Sequence, residues 1–192
     1  MQLAPETVTL GVLAGGRASR LGGLDKAWLR CHGQPQVLRI IACLAHRCGR
    51  VLVSANRGME RYAAQALVAV ADRHADLGPI AGLDALAATC ETPWLFTVPV
   101  DVLDCDTRVL DTLAATLGQG AVARDGDGLQ PLVALYDVAG LRTALARAIA
   151  AGQYSVQGLQ QTMQLPVVDM HDLRFGNLNT PMDLQQAGYD VD

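Results

Sequence analysis

Val8-Thr-Leu-Gly-Val-Leu-Ala-Gly-Gly-Arg-Ala-Ser-Arg-Leu-Gly-Gly-Leu-Asp-Lys26 joins a mainly apolar run to a loop of paired glycines and basic residues. The first six residues, Val8–Leu13, read as a buried strand. In the loop that follows, glycine lets the backbone come close to a ligand and take φ values that a Cβ would forbid. Exposed backbone N–H groups, with Arg17, Arg20 and Lys26 beside them, suit a string of phosphates. A strand feeding such a loop points to nucleotide handling.

Outward from that loop, apolar runs at 51–54, 67–71 and 94–98 read as further buried parallel strands. Helical patterns lie between them. The stretch 36–48 carries Val37, Ile40, Ile41, Leu44 and Ala45 on one face, and 59–66, 80–89 and 107–117 follow. This alternation predicts an α/β sandwich around a mainly parallel sheet. The second half reads as strands at 120–123 and 132–136, separated by the polar turn Arg-Asp-Gly-Asp-Gly-Leu-Gln-Pro. A helix at 141–150, ended by Gly152, a strand at 165–168 and a closing helix at 182–187 complete it. Thr180 is placed as the N-cap of that last helix and Pro181 as its first residue. No repeat or linker divides the chain, so one domain is expected, with a nucleotide-binding half over about 7–105 and a second-substrate half over about 106–188.

The 192 residues suffice for one domain with a substantial core, and 51% hydrophobic with 18% charged residues is an ordinary globular composition. The net charge of −4 argues against a nucleic-acid binder. An anionic ligand must be held by local positive charge. The N-terminus shows no signal-peptide pattern and no apolar run reaches the length of a membrane span, so a cytoplasmic protein is expected. Five cysteines (Cys31, Cys43, Cys48, Cys90, Cys105) without a C-x-x-C pair read as small thiols in a reducing compartment. The histidines His32, His46, His74 and His171 do not cluster.

Two common glycine-loop readings fail on spacing. A Walker A loop needs its lysine directly after the last glycine, whereas Lys26 comes three residues after Gly23. The dinucleotide fingerprint G-x-G-x-x-G is not met by Gly15, Gly16, Gly22 and Gly23. Asp101 follows a strand and Pro99, at a position where ligands of open α/β sheets bind; Asp104 and Asp106 lie close enough to serve instead. The loop, Asn56, Asp72 and Asp101 all follow strands and can converge on one sheet edge.

The segment LAGGRASRLGGLDK resembles the signature of the nucleotidyltransferases that attach a nucleotide to the molybdenum cofactor, and most resembles their GTP-using branch, the molybdenum cofactor guanylyltransferases. Gly16, Gly23 and Asp25 favour that branch; Leu21 stands where methionine is usual. Ser54–Arg57 is similar to its N-A-N-R, Gly78–Leu83 to its G-P-L-A-G, the segment ending at Asp101 to its P-C-D, with Val100 for the cysteine, and Gln130–Tyr136 to its H-P-x-x-A-L-Y. Phe175–Leu184 closely follows F-x-N-[IV]-N-T-P-E-[DE]-L. The likeness runs from about Leu10 to Leu184.

The resemblance implies a three-layer α/β sandwich with a Rossmann-like nucleotidyltransferase sheet. It implies transfer of GMP from GTP to the phosphate of a molybdopterin-type cofactor, with release of pyrophosphate. It selects Asp101 as the ligand of a Mg²⁺ ion, which favours one or two carboxylates completed by substrate oxygens and water. Arg20 and Lys26 would neutralise the triphosphate and the leaving pyrophosphate, and Arg17 is peripheral. Leu13, Ala14, Gly15 and Gly16 would hold the nucleotide through the backbone, with Lys26, Asn56 and Asp72 lining the guanosine pocket. Asn177 and Asn179 would face the second substrate or the metal. Proteins that deliver the cofactor or receive the product are expected partners. The alternatives are a sister enzyme using CTP or a sugar phosphate, or a nucleotide-binding module without catalysis.

Overall fold

The computed structural model describes residues 3–15, 25–104, 107–116, 118–178 and 180–189. Seven strands form one sheet: β1 (Val8–Leu13), β4 (Arg50–Ser54), β5 (Val68–Val70), β6 (Trp94–Pro99), β7 (Gly120–Asp125), β8 (Gly128–Asp137) and β9 (Val167–Asp169), in the order β5-β4-β1-β6-β8-β7-β9. β5, β4, β1 and β6 run parallel. β8 is antiparallel to both β6 and β7, and β9 returns parallel to β7. A two-strand ribbon, β2 (Arg30–Cys31) with β3 (Gln34–Pro35), lies apart from this sheet.

Side chains alternate across β1, and each face meets its own helices. Val8, Leu10 and Val12 join Val53, Phe96 and Val98 beneath α1 (Gln36–Leu44) and α4 (Thr107–Ala114). Leu13 joins Leu52 and Leu95 beneath α3 (Pro79–Thr89), α5 (Val138–Ala150) and α6 (Val156–Thr162). The three layers are therefore helix, sheet and helix, as expected. Eight consecutive residues of α3, Ile80 to Ala87, are buried, so this helix is covered on all sides rather than along one stripe, with Asp84 as its one charged member, 3.4 Å from Arg73 Nη1. Two shorter helices, α2 (Met59–Ala63) and α7 (Pro181–Gln186), complete the chain.

The differences from expectation have local causes. β8 starts at Gly128 and runs through Pro131, although proline cannot donate to a ladder. The pairing with β7 jumps from Val122–Ala134 to Ala123–Gln130, so Pro131 sits in a bulge where no donor is required. α6 was not expected, because Val156 and Leu159 are its only buried apolar residues. Ser155 caps it by accepting from the Gly158 N–H at 3.1 Å. α1 ends at Leu44 and residues Ala45–Arg47 tighten into a 3₁₀ turn, and α2 ends at Ala63 rather than reaching 66. The predicted cap of α7 is present as a capping box: Thr180 Oγ1 accepts from Asp183 N, and Asp183 Oδ2 accepts from Thr180 N at 2.7 Å. Cys31, Cys48 and Cys90 are free thiols; Cys105 lies outside the described residues. No helix among the described residues is long and apolar enough to cross a membrane.

Candidate active site

The carboxyl ends of β1, β4, β5 and β6 share one sheet edge, and the backbone ladder continues past each of them. Ala14 N–H donates to Ser54 O at 2.9 Å, Ala55 N–H to Val70 O at 2.9 Å, and Val100 N–H to Leu13 O at 3.0 Å. These bonds fix where Gly15, Asn56, Asp72 and Asp101 leave the sheet. The chain order of the strands reverses at β1, with β4 on one side and β6 on the other. Such a switch point opens the crevice in which α/β proteins bind ligands, and Gly15 and Asp101 stand on its two sides.

On the β4–β5 side, Asn56 and Asp72 clasp each other. Asn56 Nδ2 donates to Asp72 Oδ2 at 2.7 Å and Asp72 N–H donates to Asn56 Oδ1 at 2.9 Å. Asp72 Oδ1 is shielded from solvent and has no hydrogen-bond partner among the described residues. An orphan carboxylate oxygen is costly and calls for a donor. Ser54 Oγ is a second buried polar atom without a partner, in a residue with no exposed surface. It lies 3.9 Å from where a Cβ on Gly15 would stand. The sequence reading took Asn56 from this segment and passed over Ser54.

On the β6 side, Lys26 Nζ lies 3.1 Å from Asp101 Oδ2, with both side chains largely shielded. Lys26 opens a short 3₁₀ turn, Lys26–Trp28, which Asp25 caps by accepting from Ala27 N–H at 3.1 Å. Trp28 lies beneath the Arg61 guanidinium at 4.5 Å and against Tyr62 at 5.0 Å. Burial, with the Asp25 charge adding to it, pushes the Tyr62 phenol up to about 12. Asp25, next to Lys26 in the signature, thus serves the backbone.

The C-terminal motif runs alongside the Asp101 loop. Leu178 N–H donates to Asp101 O at 2.9 Å, and Leu103 and Asp104 N–H donate to Phe175 O at 2.8 and 3.0 Å. Asp125 anchors the motif from the other side and was not singled out from the sequence. It is 2% exposed. Its Oδ2 accepts from Phe175 N–H at 2.8 Å, and its Oδ1 accepts from Asp127 N–H, Gly128 N–H and Gln130 Nε2 at 3.0, 3.1 and 3.1 Å. Burial alone would raise this carboxyl's pKa, but the four hydrogen bonds outweigh it and hold the group below its ordinary value. The signal available was the Asp-Gly-Asp-Gly turn, in which a carboxylate can accept from the backbone ahead of it.

Leu13, Ala14, Gly15, Lys26, Asn56, Asp72, Asp101 and Asn177 are thus placed by the sheet edge and the irregular segment that runs beside it. Asp104 is exposed and lines a separate cleft together with Asn177. Gly16, Arg17, Arg20, Asp106 and Asn179 lie outside the described residues. Among the described residues no three His, Cys, Asp or Glu side chains group as a metal cluster. A single carboxylate at Asp101 is still a fitting donor set for Mg²⁺, which takes one or two carboxylates and fills its octahedron with phosphate oxygens and water.

A parallel sheet with a glycine loop, a lysine–carboxylate pair at the switch point and an amide–carboxylate clasp beside it defines a nucleotidyltransferase-type α/β protein. The chain belongs to the MobA-like NTP transferase domain family, whose model matches residues 10–166. It is 35% identical to a molybdenum cofactor guanylyltransferase of Vibrio cholerae, covering 97% of this chain and 94% of that one. It is 30% identical to one of Polynucleobacter asymbioticus, covering 95% and 96%. In fold it is similar to molybdopterin-guanine dinucleotide biosynthesis protein A of Archaeoglobus fulgidus, at a TM-score of 0.72 and 21% identity over 94% of this chain and 96% of that one. The 2-C-methyl-D-erythritol 4-phosphate cytidylyltransferase of Thermus thermophilus is similar at 0.71 and 18% identity, over 93% and 96%.

Proposed function

We propose that this chain transfers GMP from GTP to the phosphate of molybdenum–molybdopterin and forms the molybdopterin guanine dinucleotide cofactor. The observation that carries the reading is the order of groups along one sheet edge. An orphan acceptor at Asp72 suits the N–H donors of guanine or the hydroxyls of ribose. A lysine–carboxylate pair follows at the switch point, and the segment carrying Asn177 lies beside it. The names of the relatives above support the choice of nucleotide and acceptor.

An oxygen of the acceptor phosphate attacks the α-phosphorus of GTP. The bond from that phosphorus to the β-phosphate bridging oxygen breaks, and pyrophosphate leaves with the electron pair. Two anions must meet and a third must leave, so catalysis is mainly positioning and neutralisation. Lys26 supplies positive charge to the triphosphate and to the departing pyrophosphate. Arg20 is assigned the same task from its place in the loop sequence. The backbone of Leu13, Ala14, Gly15 and Gly16 cradles the nucleotide, and the Asn56–Asp72 clasp receives the nucleoside. Asp101 would hold Mg²⁺, which when bound neutralises phosphate charge. Asn177 and Asn179 are assigned to the acceptor side. No side chain needs to carry a covalent intermediate. The reaction would take place in the cytoplasm, with cofactor-delivery proteins or apoenzymes as the recipients of product.

Pyrophosphate release from GTP plus molybdopterin, with Mg²⁺, tests the reaction. Thermal stabilisation by a nucleotide panel tests the base. GTP should stabilise more than CTP or UTP, and preferential stabilisation by CTP would sink the guanylyl reading.

A further inference from the structure

A cleft of about 420 Å³ opens in the helical layer that holds α3 and α5. Arg73 and His74 border it from the segment after β5, Asp84 and Ala88 from α3, and Arg142, Ala146 and Ile149 from α5. We infer that this cleft docks an acidic peptide segment of a partner protein, in which an Asp or Glu stands next to an apolar residue.

Small side chains create the cleft. Leu141, Leu145 and Ala148 carry α5 into the core, where they share a cluster with Leu83, Leu86 and Ala87 of α3. The next face of α5 presents Arg142, Ala146 and Ala150 at four-residue spacing, one above the other. Ala88 stands opposite on α3. Alanine at these places does not fill the groove between the helices, and its floor is apolar.

The two charged walls are set by the fold. Arg142 is immobilised on the end of α3: its Nε donates to Ala87 O at 2.7 Å, and its Nη2 donates to Cys90 O at 2.6 Å and to Ala88 O at 3.3 Å. Its Nη1 makes no hydrogen bond among the described residues, so part of a fixed guanidinium is left for a ligand oxygen. Asp84 is 9% exposed, and its Oδ2 has no hydrogen-bond partner among the described residues. Arg73 Nη1 and His74 Nε2 stand 3.4 and 3.9 Å from that oxygen. Arg73 balances the charge of Asp84 without satisfying the buried acceptor, which calls for a donor.

A ligand is thus offered guanidinium N–H groups for a carboxylate, a desolvated acceptor for an N–H, and an apolar floor. A peptide brings all three as an acidic side chain, a backbone N–H and an apolar side chain, whereas a free phosphate has nothing for the floor. With His74 neutral, two guanidinium groups against one carboxylate leave the cleft positive in a chain of net charge −4. An acidic segment is therefore drawn to this patch and repelled by the surface at large. Arg73 directly follows Asp72, so a docked partner would stand next to the Asn56–Asp72 clasp.

An array of hexapeptides tests the assignment. In each, Asp or Glu adjoins Leu, Ile, Val or Phe, and a matched set carries Asn or Gln instead. Fluorescence anisotropy then measures the best acidic peptide. It should bind the unaltered protein about tenfold or more tighter than its amide twin, and more weakly as salt rises. Ala146→Glu places a carboxylate on the floor at an exposed position of α5, where Glu is a good helix former. This variant should keep its melting temperature and lose about tenfold or more in peptide affinity. Should it melt lower, Arg73→Gln decides, at a side chain 56% exposed, and it should weaken the peptide likewise. No preference for acidic over amide peptides, equal binding by a stable Ala146→Glu or by Arg73→Gln, or displacement of the peptide by equimolar inorganic phosphate would each overturn the inference.

Discussion

Asp72 has two carboxylate oxygens, of which Oδ2 is held by Asn56 and Oδ1 is buried without a hydrogen-bond partner among the described residues. A site that keeps a desolvated acceptor in waiting gains most when a donor arrives. Asp72→Asn should therefore lower GTP affinity by about tenfold, read by calorimetry, with an unchanged melting temperature. Asp101 is held by its carbonyl, through Leu178 N–H, as well as by its carboxylate. Asp101→Asn keeps the backbone bond, so the fold should survive while turnover with Mg²⁺ falls by about a hundredfold or more. Equal turnover would remove the carboxylate from the chemistry. At this scale the placement of Asp101, Asp72 and Asn56 after strands of one sheet edge, with Lys26 against Asp101, was legible in the sequence. It was not legible where a polar residue serves the protein's own backbone. Asp125 and Gln36 read as a turn aspartate and a helix glutamine, and only the folded chain brings Phe175 and Val102 to them.

Among the elements, α3 shows why the Gly78–Leu83 segment has its form. Gly78 takes φ 61° and ψ −145°, a backbone region essentially confined to glycine, and Pro79 starts the helix. A Cβ on Gly82 would lie 2.6 Å from Ser54 Oγ and 3.1 Å from a methyl of Leu13. Helix and sheet therefore touch directly beneath the loop. Gly82→Ala should cost about 1–3 kcal/mol through overpacking and should weaken GTP binding as well, both readable in one thermal-shift series with and without nucleotide. The β7–β8 turn gives a second case. Asp125→Ala would strip an acceptor from four donors and should cost about 2 kcal/mol or more. Because the folded-state pKa is depressed, its stabilisation is fully present above the unfolded-state value and is lost as pH falls through the lower folded-state value. Asp125→Asn should accordingly flatten the acid limb of a stability–pH curve below about pH 4. An unchanged acid limb would show that another carboxylate governs it. Strands with continuous apolar runs, such as β1 and β6, were read to within a residue. β8 was shortened because proline reads as a break, and α6 was missed because seven residues with two buried apolar side chains make no periodic signal.

Across the whole molecule, the candidate site residues follow the strand order rather than the chain order. Asp72, Asn56, Gly15 and Asp101 are met in turn on crossing from β5 to β6. The pattern of alternating strands and helices made this convergence foreseeable, because parallel strands deliver their carboxyl ends to one side. The single antiparallel strand, β8, was not foreseeable, since an apolar run carries no direction. Its effect is to bring the start of β8 to the active edge, so the β7–β8 turn, with Asp125, stands there too.

The bond from Leu178 N–H to Asp101 O joins residues 77 positions apart, and it sets an order in time. During synthesis the loop, the clasp and Asp101 are complete long before the residues that close the acceptor side have been made. The edge formed by β1, β4, β5 and β6 is therefore translated first, and the Phe175–Leu178 segment that closes over its Asp101 loop comes from the ribosome last.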